Sequence, residues 1–246
     1  MKALVFAFVL TVVPLTAEAH EAVTYAVDGE TFEGYRAEAK GVSKGLILII
    51  HDWDGLTEYE MKRSEMLADM GYDAFAVDLF GKGNRPTDTA AKKKETGKLY
   101  QDRERMRSLI LGGLREARKA SNKKTVVMGY CFGGAAALEL ARSGKAEGIA
   151  GYASFHGGLA TPEGQAYPSN TSPILIAHGG ADTSVTMDDV AALARELESA
   201  GVVYEIQVYS GAPHGFTEFS SDRYQERADE LSWKAFSDFL ATNLAD

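Results

Sequence analysis

The protein is a chain of 246 residues with a formal net charge of −9 at pH 7. Its one run of three basic residues is Lys92–Lys94, and an acidic chain without a larger basic patch is unsuited to binding phosphate backbones, which argues against a nucleic-acid partner. Apolar residues make up 45% of the chain, enough for a substantial core, and the length suits one α/β domain.

The first residues have the pattern of a secretory signal. Lys2 precedes an apolar run at 3–13 that is too short to cross a bilayer, and an A-x-A cleavage pattern ends at Ala19. We therefore expect residues 1–19 to be a signal peptide that is cleaved after Ala19. Residues 20–246 then form the mature domain, which is periplasmic or secreted. The alternative is a retained membrane anchor.

Apolar runs and helical periodicity predict alternating strands and helices after the signal segment. The predicted strands are 22–27, 31–37, 46–50, 73–77, 125–128, 148–154, 173–177 and 204–209. The predicted helices are 58–70, a long polar region from about 90 to 120, 132–142, 187–200 and 222–244. The first two strands read as a hairpin. The alternation predicts an α/β fold with a mostly parallel, doubly wound sheet and helices on both faces, in a single domain.

Functional residues of such sheets collect at the carboxyl ends of the strands. Polar and reactive residues follow five of the predicted strands. They are His51, Asp52 and Trp53, then Asp78, Cys131, His178 with Asp182, and His214. We therefore expect a site at that edge of the sheet.

Gly129–Gly133, with the sequence GYCFG, has the form of a nucleophile elbow in which cysteine replaces serine. Cys131 is the only cysteine of the chain, and exported proteins usually pair their cysteines or lack them. The helix that begins behind Cys131 favours an anion, from which we expect a lowered thiol pKa. These features predict a nucleophile. The alternative is a core cysteine at a tight turn.

A cysteine nucleophile needs a base and an orienting acid. In α/β-hydrolase folds these residues come in the order nucleophile, acid, histidine. Asp182 follows the predicted strand at 173–177, and His214 follows the one at 204–209. Both therefore have the position and order of triad partners, although an aspartate near a helix start can also be an N-cap.

The segments GYCFGG, HGGAD, GAPHGF and HDWDGL resemble the dienelactone hydrolase family of α/β hydrolases, and the resemblance runs from about residue 22 to the C-terminus. It implies an α/β-hydrolase fold with Cys131 as nucleophile, Asp182 as acid and His214 as base. It also implies an oxyanion hole formed by the backbone N–H groups of Phe132 and Trp53.

The resemblance further assigns four polar residues. Asp52 holds the place of a carboxylate, usually Glu in the family, that engages the resting thiol; loop capping is its alternative role. Lys82 and Glu218 stand where the family has arginines for a substrate carboxylate. Arg85 is a candidate replacement cation. Because Glu218 would repel a carboxylate, we expect a substrate other than dienelactone.

The sequence therefore predicts an exported hydrolase of carboxylic esters or lactones that forms an acyl-enzyme. We expect a small-molecule substrate, no cofactor, no metal ion, no membrane association after cleavage, and a monomer. A peptidase is the alternative among enzymes. The alternative from another class is a non-catalytic exported protein that binds a ligand or senses oxidants through Cys131.

Overall fold

The computed structural model describes residues 20–245. The signal segment expected over residues 1–19 lies outside the described residues. The strands are β1 (His20–Val27), β2 (Glu30–Ala37), β3 (Leu46–Ile50), β4 (Asp73–Val77), β5 (Thr125–Tyr130), β6 (Ile149–Phe155), β7 (Ile174–Gly179) and β8 (Tyr204–Tyr209). The helices are α1 (Glu58–Asp69), α2 (Thr89–Gln101), α3 (Arg103–Ala117), α4 (Phe132–Ser143), α5 (Met187–Ala200) and α6 (Glu226–Asn243). Within 20–245, no helix has the length and apolar character that a membrane span requires.

These strands form one sheet in the order β1-β2-β4-β3-β5-β6-β7-β8. The β1–β2 and β2–β4 pairs are antiparallel, and each pair from β4 onward is parallel. A continuous apolar run is typical of a parallel strand that is covered on both faces, and all residues of β3 are buried. The predicted mostly parallel sheet with an initial hairpin is confirmed.

Helices cover both faces of this sheet. Successive residues of a strand point to opposite faces, so Leu48 and Ile50 of β3 pack in one cluster with residues of α3, α4 and α5. Ile47 and Ile49 pack in a second cluster with residues of α1 and α6. The two apolar layers that the alternating pattern requires are therefore present, and the doubly wound arrangement is confirmed.

Two helix boundaries differ from the prediction. The long polar region is two helices, because Asp102 leaves the helical conformation (φ −119, ψ 80) and becomes the N-cap of α3. Its carboxylate accepts the backbone N–H of Arg105 at 2.9 Å, a typical cap interaction. The last helix begins at Glu226 rather than at residue 222. The break at Asp102 puts a bend between Tyr100 and Arg103.

The strand order brings the candidate residues to one edge of the sheet. Because β4 and β5 lie on opposite sides of β3, a crevice forms at the carboxyl ends of β3 and β5. The strands β3, β5, β7 and β8 all run in the same direction. The loops that follow them carry Asp52, Cys131, Asp182 and His214, in that order.

Candidate active site

The elbow at Cys131 is a strained turn between β5 and α4. Cys131 has φ 49 and ψ −108, a backbone conformation that non-glycine residues rarely adopt and that is typical of functional sites. Glycine is required on both sides of it. A Cβ on Gly129 would lie 2.2 Å from the backbone of Gly133, and one on Gly133 would lie 2.1 Å from the carbonyl oxygen of Ile50. The turn therefore depends on the glycines that the motif predicted.

Gly133→Ala is expected to lower the free energy of unfolding by about 2 kcal/mol or more, because the new methyl group would meet rigid backbone rather than a movable side chain. Urea denaturation measures this loss. Gly97→Ala is the matched control, since a Cβ on Gly97 of α2 meets no heavy atom within 4 Å, and we expect it to be neutral or stabilising. Equal unfolding midpoints for the two variants would contradict the close packing of the elbow.

Three side chains from three loops meet at the elbow. The Nε2 atom of His214 lies 3.0 Å from Sγ of Cys131, and its Nδ1 atom lies 2.8 Å from Oδ2 of Asp182. The other carboxylate oxygen of Asp182 accepts the backbone N–H groups of Ser184 and Val185 at 2.8 and 2.9 Å. These bonds fix the carboxylate, which in turn orients the imidazole so that Nε2 faces the thiol.

The surroundings of Cys131 favour its neutral thiol over the thiolate. Burial, the negative charge of Asp52 and a hydrogen bond to that carboxylate raise the pKa of Cys131, while the backbone N–H of Phe132 and the charge of Arg223 lower it by less. The expectation of a lowered thiol pKa from the helix N-terminus is therefore wrong for this structure. Loss of water and the adjacent carboxylate outweigh the helix dipole.

Asp52 contacts the thiol although its side chain is one methylene shorter than glutamate. Burial raises the pKa of Asp52 to about 7, against the hydrogen bonds from Trp53 and Cys131, which lower it. Its Oδ1 atom accepts the backbone N–H of Trp53. Phe132 N–H faces the sulfur of Cys131. Of the two N–H groups expected in the oxyanion hole, one is thus bonded to Asp52 and the other faces the sulfur of Cys131.

Glu60, which the sequence analysis did not identify, holds the loop that carries Asp52. Its Oε1 atom accepts the backbone N–H of Asp52 at 3.2 Å, and its Oε2 atom accepts the N–H and hydroxyl of Thr57 at 2.8 and 2.9 Å. Burial raises the pKa of Glu60 to about 8. The T-x-x-E spacing of Thr57 and Glu60 is a capping box, and this signal was available in the sequence.

Residues 32–244 match the model of the dienelactone hydrolase family. The chain belongs to this family. A carboxymethylenebutenolidase of Pseudomonas putida is 28% identical over 223 residues, covering 87% of this chain and 92% of that protein. Family membership and this relative make the protein a hydrolase that acts on carboxylic ester or lactone bonds.

Solved structures of family members and of other hydrolases share the fold. A dienelactone hydrolase-like promiscuous phosphotriesterase from metagenomic libraries superposes with a TM-score of 0.83 and 26% identity, over 92% of this chain and 99% of that one. An acylaminoacyl peptidase of Pyrococcus horikoshii has a TM-score of 0.71 and 16% identity, over 93% of this chain and 42% of that one. The second likeness shows the fold alone, and together they confirm the α/β-hydrolase fold.

The two cations expected to bind substrate have partners elsewhere in the protein. Lys82 Nζ lies 2.8 Å from Oε2 of Glu33 and donates to the hydroxyl of Thr24 at 2.9 Å. Arg85 donates from Nη1 to Oδ1 of the buried Asp78 at 3.3 Å. A substrate carboxylate would have to compete with Glu33 for Lys82 and with Asp78 for Arg85. Substrate binding by either residue stays a prediction.

Glu218 acts on the site through its charge on Asp52, and a cation accompanies it. Its negative charge contributes to the raised pKa of Asp52, and its Oε2 atom accepts a hydrogen bond from Nη2 of Arg223 at 3.1 Å. The Arg223 guanidinium lies against Gly215, where an added Cβ would be 3.1 Å from its Cζ atom. The repulsion of anionic substrates expected from Glu218 is therefore partly offset by Arg223, which the sequence analysis missed.

A cleft of about 240 Å³ opens beside the elbow. Its lining residues come from the break between α2 and α3, from α4, and from the loops after β6 and β7; they include Tyr100, Arg103, Ala135, Leu159 and Val185. The ring of Tyr100 meets that of Phe132 edge-on at 5.4 Å, and the charge of Cys131 contributes to the raised pKa of Tyr100. Tyr100 thus lies both in the wall of the cleft and against the residue that follows Cys131.

Asp52→Asn is expected to speed alkylation of Cys131 by iodoacetamide about tenfold or more at pH 8, because the neutral amide removes a charge that raises the pKa of the thiol. The gain should shrink below pH 7, where Asp52 itself becomes protonated in the wild type. Asp238→Asn makes the same change of charge at an exposed residue of α6 paired with Lys234 at 2.6 Å and serves as the control. A wild-type rate in Asp52→Asn at pH 8 would contradict this role.

Proposed function

We propose that the protein is an exported hydrolase of small carboxylic esters or lactones that forms an acyl-enzyme on Cys131. The observation that supports this most directly is the chain of contacts from Sγ of Cys131 to His214 at 3.0 Å and from His214 to Asp182 at 2.8 Å. These contacts lie at a glycine-flanked elbow, and together they have the arrangement of a nucleophile, a base and an orienting acid.

In the acylation half-reaction, Nε2 of His214 accepts the thiol proton and the sulfur of Cys131 attacks the carbonyl carbon. The carbonyl oxygen becomes an oxyanion, which the backbone N–H groups of Phe132 and Trp53 bind. Each such donor contributes about 3 kcal/mol of transition-state stabilisation. The imidazolium then gives its proton to the departing alkoxide, and Asp182 stabilises the charged ring in the interval.

In the deacylation half-reaction, His214 accepts a proton from water as the water oxygen attacks the thioester carbonyl. The second tetrahedral intermediate collapses with release of the carboxylic acid, and the thiolate of Cys131 recovers its proton from His214. No atom is left over, so the cycle needs only substrate and water. An amide fits less well, because its nitrogen leaving group needs stronger acid assistance.

Asp52 restrains the nucleophile in the resting enzyme. Its carboxylate accepts the Trp53 N–H and engages the thiol, so a substrate carbonyl that takes over the Trp53 N–H also displaces the carboxylate from the nucleophile. Burial, together with this carboxylate, raises the pKa of Cys131, which disfavours a role in sensing oxidants because oxidation begins at the thiolate.

A substrate panel tests the proposed function. The mature protein from residue 20 onward is assayed with short-chain esters, lactones, thioesters and anilides, beside Cys131→Ala. Turnover of esters or lactones that requires Cys131 is expected, with thioesters accepted and anilides poor. Turnover confined to anilides would favour a peptidase. If no compound of the panel is hydrolysed and Cys131 is still alkylated quickly, the result would favour a binding or sensing role.

Export and the monomeric state complete the proposal. Export is supported by the signal pattern of residues 1–19, and a mature N-terminus at His20 in protein recovered from outside the cytoplasm tests it. Light scattering of the mature protein tests the monomer. An uncleaved chain in the membrane fraction would contradict export.

A further inference from the structure

Arg63 is a buried cation that the proposed chemistry does not use. It lies on α1, its side chain is fully buried, and its charge is paired with Asp229 of α6. Burying a guanidinium is unfavourable unless charge and hydrogen bonds compensate it. Its Cζ atom also lies 4.2–5.7 Å from the ring centroids of Tyr59, Tyr130, Phe219 and Trp233. The ion pair and the four rings together fix the guanidinium in one orientation.

The fixed guanidinium reaches the loop that carries His214. Nη2 of Arg63 donates to the carbonyl oxygen of Thr217 at 3.0 Å, and this bond is buried. Thr217 is three residues beyond His214, on the irregular segment between β8 and α6. The segment has no strand or helix of its own at this point, so its position depends on contacts of this kind.

The side chain of Thr217 is held by a second set of bonds that also starts at Arg63. Nε of Arg63 donates to the hydroxyl of Tyr59 at 3.3 Å, and that hydroxyl lies 2.7 Å from Oγ1 of Thr217. Oγ1 lies 2.8 Å from Nε2 of His156, whose ring meets the ring of His214 edge-on at 5.3 Å. Burial and the charge of His214 lower the pKa of His156, so it stays neutral beside that ring.

We propose that Arg63 is a positioning residue for the hydrolase. It bonds the carbonyl oxygen of Thr217 directly and the hydroxyl of Thr217 through Tyr59, and that hydroxyl holds the ring of His156. These bonds keep the imidazole of His214 in line with Sγ of Cys131. The inference rests on the proposed function for the role of His214 as base. The contacts that carry it do not depend on the identity of the substrate.

The same helix also holds the opposite side of the site. Glu60 bonds the backbone N–H of Asp52 at 3.2 Å, and Arg63, three residues along, bonds the carbonyl of Thr217 at 3.0 Å. Residues three apart share a face of a helix. α1 therefore sets the distance between the loop that restrains the thiol and the loop that carries His214.

Arg63→Lys keeps the positive charge opposite Asp229 but loses the planar group that bonds Thr217 and Tyr59 together. We expect kcat to fall about 10- to 100-fold, because small displacements of a catalytic group have effects of this size. KM should change little, since Arg63 is not among the residues that line the cleft. Leu67→Ala, a fully buried apolar site on the same helix, is the control for destabilisation without loss of a hydrogen bond to the His214 loop.

Two milder variants test the same inference if Arg63→Lys does not fold. Tyr59→Phe and Thr217→Val each remove one hydroxyl of the second set of bonds and keep the shape of the side chain. Both should lower kcat and move the His214 ring signals in histidine-selective ¹⁵N NMR, whereas Leu67→Ala should leave those signals in place. Thermal melts allow all variants to be compared well below their own Tm.

Three results would overturn the inference: a wild-type kcat in Arg63→Lys, unchanged His214 ring signals, or an equal loss of kcat in Leu67→Ala. The proposed function fails by a different result, which is an absence of Cys131-dependent turnover in the wild type. In that case the NMR comparison still decides whether Arg63 positions His214, because it needs no substrate.

Discussion

Cys131→Ala is expected to lower kcat for ester hydrolysis on the order of 10⁴-fold or more, with little loss of stability. The sulfur is the atom proposed to form the covalent bond, and no other cysteine of the chain could replace it. The substitution removes only the sulfur atom, so it leaves a small cavity at most. Residual turnover would come from the oxyanion donors and from binding alone.

The experiment compares steady-state rates of Cys131→Ala and Cys131→Ser with the wild type, together with thermal melts of all three. The serine variant keeps a group that can bond His214 and Asp52, and a hydroxyl is a far poorer acid than a thiol, so we expect it to be only slightly more active than alanine. Intact melts with lost activity support the nucleophile. A Cys131→Ala protein that retains more than a few per cent of activity would remove Cys131 from the mechanism.

The fold could be predicted because its signals are local. The buried strand Leu46–Ile50 is an unbroken apolar run, and the elbow Gly129–Gly133 combines a strand end, two required glycines and a helix start within a few residues. The loops that carry Asp182 and His214 could be placed at the same edge because parallel strands end together. The meeting of these residues follows from topology rather than from any contact visible in the sequence.

The features that were not predicted from the sequence depend on contacts between residues distant in the chain. The split at Asp102 was missed because helical periodicity continues across it, and only the cap geometry ends one helix and begins the next. Lys82 and Arg85 were assigned as cations for a substrate carboxylate, although each has a partner that the sequence does not reveal. The raised pKa of Cys131 has the same origin, since it arises from burial and from a carboxylate that the fold brings to the thiol.

Arg63 shows most clearly what sequence patterns cannot predict. In the sequence it is one basic residue in a helix, and its natural interpretation is an exposed charge. Its role arises from bonds to residues more than 150 positions away, namely Thr217 and Asp229. Buried polar networks of this kind are assembled by tertiary structure, so local patterns cannot reveal them.

His214→Gln is expected to lower kcat nearly as much as the loss of Cys131, on the order of 10⁴-fold, because the proposed base, proton donor to the leaving group and activator of water are one residue and are lost together. It should also slow alkylation of Cys131 near neutral pH, since the thiol loses the acceptor 3.0 Å away. Asp182→Asn should reduce kcat by a comparable or smaller factor, because the imidazole remains but takes the wrong tautomer.

The double variant Cys131→Ala/His214→Gln decides whether the two residues act as a unit. If His214 works only through the sulfur and its acyl derivative, the second substitution should lower the rate of the Cys131→Ala protein by little more than its assay error, since members of one catalytic unit are strongly non-additive. If the rate losses of the two single variants multiply in the double variant, His214 activates water directly in the absence of the thiol. An unchanged alkylation rate in the single His214→Gln variant would show that the thiol is not activated by that ring, and the acyl-enzyme route would then lose its base.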